Sequence, residues 1–97
     1  MQELTTILFE NEKIRVEKIE SFGCCSPCDF WYEQTEDEWV QITKGTAILD
    51  FGNEKIALNT HENYYIKAYQ KHRVEYTSTD CEWLCLFIKT ANSKTNL

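Results

Sequence analysis

Turn-forming residues cut this chain into segments too short for stable helices but long enough for strands, at intervals of roughly ten residues. The breaks are Glu10-Asn11-Glu12, Ser21-Phe22-Gly23, Lys44-Gly45, Gly52-Asn53, Asn59-Thr60-His61-Glu62 and Ser78-Thr79-Asp80. The runs between them are rich in β-branched and aromatic residues, and none holds a helical period. The spacing predicts about nine strands, over residues 7–9, 13–19, 29–34, 39–43, 46–51, 55–58, 64–68, 72–77 and 82–89. In the second of these, Ile14 and Val16 share one face. Lys44-Gly45 and Gly52-Asn53 both read as hairpin turns. The acidic run at residues 33–38 lies between two aromatic segments and is too short to stand as a helix. The expected fold class is therefore all-β, a sandwich or barrel.

At 97 residues the chain reads as one domain over residues 1–97. Its ordered part is expected at about residues 7–89, with a polar, frayed tail at 90–97. The net charge of −6 argues against nucleic acid and against an anionic membrane surface. No apolar run approaches the roughly 20 residues that span a bilayer. The start, Met1-Gln2-Glu3-Leu4, lacks the basic and apolar stretches of a signal peptide, so the expected location is the cytoplasm.

Five cysteines, Cys24, Cys25, Cys28, Cys81 and Cys85, make an odd count that does not suggest a disulfide framework. Cys25-Ser26-Pro27-Cys28 has the C-x-x-C spacing of redox or zinc sites, but no helical pattern follows it. Cys81 and Cys85 would lie roughly 13 Å apart along a strand, too far to share a metal. Reduced thiols, some buried as small hydrophobes, are the simplest reading. An oxidation-sensitive or zinc-binding loop at Cys24, Cys25 and Cys28 is the alternative.

The polar residues inside the strands are more informative. Tyr32 and Gln34 are two apart and share a strand face. The turn-like Thr35-Glu36-Asp37 would fold Glu38 back toward Gln34. His72 opens a later strand with Val74 and Tyr76 on its face. If that face points inward, an imidazole, a carboxylate, an amide and a phenol meet in one barrel mouth. The plainer alternatives are a hydrogen-bonded structural His72 and a rim ion pair of Glu38 with Arg73 or Lys44.

These spacings resemble the two motifs of the cupin family. The first family motif is H-x-H, a short gap, a Glu, six residues and a Gly. Tyr32-x-Gln34, Glu38 and Gly45 reproduce it with both histidines replaced. His61, Lys67 and His72 stand where the second motif has a turn Gly, a Pro and a His. Phe30-Trp31-Tyr32, Glu38-Trp39-Val40 and His72-Arg73-Val74 are similar to small single-domain cupins. The resemblance spans residues 12–89.

It implies a cupin-type jelly-roll β-barrel, a homodimer and, in some members, one divalent metal ion (Mn, Fe, Ni or Zn). The residues that carry over toward a metal are Glu38 and His72, with Gln34 a weak neutral ligand. Tyr32, Gln34 and Tyr76 are the expected ligand-binding residues. His61 should face solvent. The expected function is a small-molecule pocket in the barrel, metal-assisted or not. The alternatives are a metal-dependent oxygenase, isomerase or lyase, with Glu38 and His72 as ligands or acid/base groups, and the thiol sensor above.

Overall fold

Alternation of apolar and polar side chains decides which face of each strand is buried, and the computed structural model follows it closely. It describes residues 2–90, so most of the predicted tail at 90–97 lies outside the described residues. Eight strands form among them: β1 (Leu4–Glu10), β2 (Ile14–Glu20), β3 (Asp37–Lys44), β4 (Ala47–Asp50), β5 (Lys55–Leu58), β6 (Asn63–Ile66), β7 (Arg73–Thr77) and β8 (Glu82–Ile88). The described residues contain no helix.

The strands form two antiparallel sheets, a five-stranded one in the order β1-β2-β8-β3-β6 and a three-stranded one in the order β5-β4-β7. The sheets are not closed into one hydrogen-bonded cylinder. They face each other as the two halves of a jelly roll. Val40 and Ile42 of β3, Trp83, Cys85 and Phe87 of β8, and Ala47 and Leu49 of β4 fill the space between them.

Three expectations need correction. Residues 29–34 do not form a strand. Phe30 N donates to Pro27 O at 2.9 Å in a turn, and only an isolated bridge between Tyr32 and His72 follows. Lys44-Gly45 does not close a hairpin, because β3 and β4 belong to different sheets. It is a corner where the chain changes layers. Gly45 takes φ +73°, the left-handed region, and an added Cβ would fall on Ser78 Oγ and lie 2.5 Å from Asp80 Oδ1. Finally, β1 begins at Leu4, so the folded region starts before the expected residue 7. Gly52-Asn53 does turn a hairpin, between β4 and β5.

The outer face of the larger sheet carries an apolar row. Phe9, Val16, Leu86, Trp39 and Tyr65 pair in register across all five strands, one residue from each. Ile14 and Val16 share this outer face. On β1, an edge strand, Leu4, Ile7, Leu8 and Phe9 are each more than half exposed.

Candidate functional site

Between the sheets lies a cavity of about 130 Å³, with Glu38, Gln34, His72, Tyr32, Cys85 and Glu3 as its polar lining. Strand parity explains Glu38. It precedes Val40 and Ile42 on the inward face of β3 and is 8 % exposed. The strand begins at Asp37, where the carboxylate accepts hydrogen bonds from Ala68 N and the Tyr65 hydroxyl. The preceding residues bend, and Gln34 Nε2 donates to Glu38 Oε1 at 2.8 Å. The expected reversal between Gln34 and Glu38 is therefore present.

Burial pushes the Glu38 carboxyl up to about 7, against hydrogen bonds from Gln34 and Cys85 that hold it down. Glu17 nearby raises it further and Arg15 lowers it. Arg15 itself is paired with Glu17 at 2.7 Å and Glu36 at 3.2 Å, with its guanidinium over the Phe87 ring. The rim pairing considered for Glu38 is not formed. Arg73 pairs with Asp50 at 3.6 Å and Lys44 with Glu82 at 3.9 Å. Cys85 sits beside Glu38 on β8, and burial together with the Glu38 charge drives its thiol far up, so it is a hydrogen-bond donor rather than a nucleophile.

His72 is 4 % exposed. Its Nδ1 lies 2.9 Å from Gln70 O, an acceptor, which places the proton on Nδ1 and leaves the Nε2 lone pair open. Burial lowers its pKa, so the ring is neutral at neutral pH. Tyr32 joins it through backbone bonds in both directions, at 2.7 and 3.1 Å, and the two rings stack at 5.5 Å. The loop before Tyr32 is fixed by Ser26. Ser26 N donates to Val74 O at 2.9 Å, and Val74 N donates to Ser26 Oγ at 3.0 Å.

Tyr76 is not in the cavity. A bulge between Ile48 and Leu49 pairs Val74 with Leu49 and Tyr76 with Ile48, so one extra residue on β7 reverses the parity. Thr77 turns inward in its place and Tyr76 is 48 % exposed. His61 is exposed as expected, with φ +75° at its turn-glycine position.

The spacing analysis missed a second carboxylate and its support. Glu3 lines the cavity, and its Oε2 accepts a 3.0 Å bond from the fully buried Ser21 Oγ. Trp83 Nε1 donates to the same Ser21 Oγ at 3.0 Å. The inward parity of Trp83 and Cys85 was legible on β8. Glu3 had no local signal.

The fold and cavity can now be set beside known proteins. No family model matches the chain, and no curated protein matches it at a significant level. Solved structures do match. A protein of Ralstonia eutropha JMP134, provisionally named a mannose-6-phosphate isomerase, is 27% identical with TM-score 0.86, over 91% of this chain and 85% of its own. A cupin superfamily protein of Desulfitobacterium hafniense DCB-2 is 18% identical with TM-score 0.78, over 90% and 77%. The chain has the fold of a small cupin domain. KdgF from a Halomonas species shares the same fold at 12% identity and TM-score 0.80, over 94% and 83%.

The metal of the cupin type requires three His and a Glu, and the donors here do not fit it. Two of the His positions are Tyr32 and Gln34. Burial and the Glu3 charge raise the Tyr32 pKa, so it stays a neutral phenol. The expected ligand Gln34 turns its amide nitrogen, a donor without an available lone pair, toward Glu38. Among the described residues, no group of three or more His, Cys, Asp or Glu is placed to hold a metal ion. Cys24, Cys25 and Cys28 do not form such a group either. Cys25 and Cys28 are exposed thiols on the loop, and Cys24 is half-buried.

Proposed function

We propose that this cupin domain binds a small organic molecule in the cavity between its sheets, with Glu38, Gln34, Tyr32 and His72 as recognition groups and no metal in the step. One observation supports this above the others. The buried Glu38 carboxyl is closed by Gln34 and Cys85 into an acid–amide–thiol cluster beside the open Nε2 of His72. Such groups are costly to bury, and a ligand that completes their hydrogen bonds offsets that cost. The volume matches a group of about six heavy atoms, since a cavity of about 150 Å³ holds benzene. A catalytic version of the reading would use Glu38 as acid or base, because its pKa lies near neutral pH. A cytoplasmic location belongs to the same proposal.

The test is a thermal-shift screen of small metabolites against the wild-type chain, Glu38→Gln and His72→Asn. Ligands that stabilise the wild type should lose most of their effect in both variants. Hits unaffected by either substitution would refute the site.

A homodimer is the second part of the proposal. The in-register apolar row on the outer face of the larger sheet, continued by the exposed side chains of β1, supports it. An apolar row of this kind, continuing onto an edge strand, supports an association surface.

A further inference from the structure

The cavity combines an open acceptor and a carboxylate with no cationic side chain, and this selects a class of ligand. Glu38 accepts from Gln34 and Cys85, and Glu3 accepts from Ser21. The Nε2 edge of His72 has no partner among the described residues, although His72 is 96 % buried by its 4 % exposure and lines the cavity. With Nδ1–H committed to Gln70 O, Nε2 can only accept. The open acceptor valences are therefore the His72 Nε2 and the unused lone pairs of Glu3, beside the Tyr32 hydroxyl and the proton of a neutral Glu38, which can donate.

The charges agree with the lone pairs. Among the described residues, no lysine or arginine lines the cavity. The cation that acts on Glu38 is Arg15, already held by two glutamates. The walls add the apolar surface of Ile19, Leu49, Ile66 and Trp83 for the body of a ligand. A phosphate or carboxylate would meet the Glu3 carboxylate with no cationic side chain in the lining to offset the repulsion.

We infer that the ligand is a small organic cation, an alkylammonium with a short apolar body, whose N–H donors meet the acceptors the chain leaves open and whose charge faces Glu3. The inference rests on the cavity being the binding site. It adds a role for Glu3, a rim carboxylate held in place by Ser21 and Trp83, as the residue that selects charge.

The experiment follows the Gln34 side-chain amide by NMR in ¹⁵N-labelled full-length chain during titration with three probes of one shape: n-butylammonium, 1-butanol and butyrate. Butylammonium should shift the Gln34 signal and bind at least about tenfold tighter than butanol, the value of one charge-assisted hydrogen bond. Butyrate should leave the signal in place. Glu3 is exposed, so Glu3→Gln folds, and it should narrow the preference for butylammonium over butanol to within about threefold. Equal binding of butanol and butylammonium, or a preference unchanged in Glu3→Gln, overturns the cation assignment while the pocket stands. If no probe moves the Gln34 signal, both the cation assignment and the pocket reading fall.

Discussion

Gln34 Nε2 donates to Glu38 Oε1 at 2.8 Å, across the bend that leads into β3. In the family's first motif these two positions are a histidine and a glutamate that share a metal. Here the first has become a donor aimed at the second. The pair is held by a hydrogen bond where a metal would otherwise bridge it, and the carboxyl sits in an apolar space that favours its neutral form.

Stability should depend on pH through Glu38, with a defined sign. The folded pKa of about 7 stands above the ordinary 4.5, so between these values the folded chain holds a proton that the unfolded chain has lost. Raising the pH through this window therefore destabilises the fold, by on the order of 3 kcal/mol in all. Glu17, Arg15, Gln34 and Cys85 are the groups acting on this carboxyl. The depressed pKa of His72 acts oppositely, below its usual value, and cancels in a comparison with Glu38→Gln. Urea unfolding at pH 5 and pH 8 should show the wild type losing that stability relative to the variant.

Added Mn, Fe(II), Ni or Zn should leave the melting temperature unchanged. A site filled at a hundred times its Kd would add about 2.7 kcal/mol and raise the midpoint by several degrees. A saturable rise that disappears in Glu38→Gln would show a metal centre at this position. A rise retained in that variant would point to the exposed thiols.

Leu86→Lys places a charge in the middle of the outer apolar row, between Val16 and Trp39. Light scattering should give a dimer mass for the wild type and a monomer mass for the variant. Circular dichroism should remain that of a β protein, because Leu86 faces away from the cavity.

Gly45→Ala should destabilise by about 3 kcal/mol, from a left-handed φ and from displacement of Ser78. Ser78 Oγ accepts Thr46 N at 2.9 Å and donates to Asp80 Oδ1 at 2.8 Å, so the new methyl group breaks a corner between the sheets. The urea midpoint measures the loss.

Much of the fold was legible because strand parity and turn chemistry are local. Glu38 and His72 were found by spacing, and the strands at residues 39–43 and 82–89 by their apolar and β-branched content between turns. Long-range or backbone effects hid the rest. The bulge in β7 reversed Tyr76, and nothing in Arg73-Val74-Glu75-Tyr76 announces an extra residue. Residues 29–34 have strand composition, yet Ser26 and Pro27 hold their loop across β7. Glu3 reaches the cavity only because Ser21 lies 18 residues away in sequence and Trp83 a further 62.

The most direct test of the cavity as a binding site is the Gln34 side-chain amide resonance during a fragment screen against the wild-type chain. The account predicts that fragments which bind shift this signal together with those of Tyr32 and His72, and that Glu38→Gln abolishes the response. Fragments that bind elsewhere and leave the Gln34 amide unmoved would contradict it.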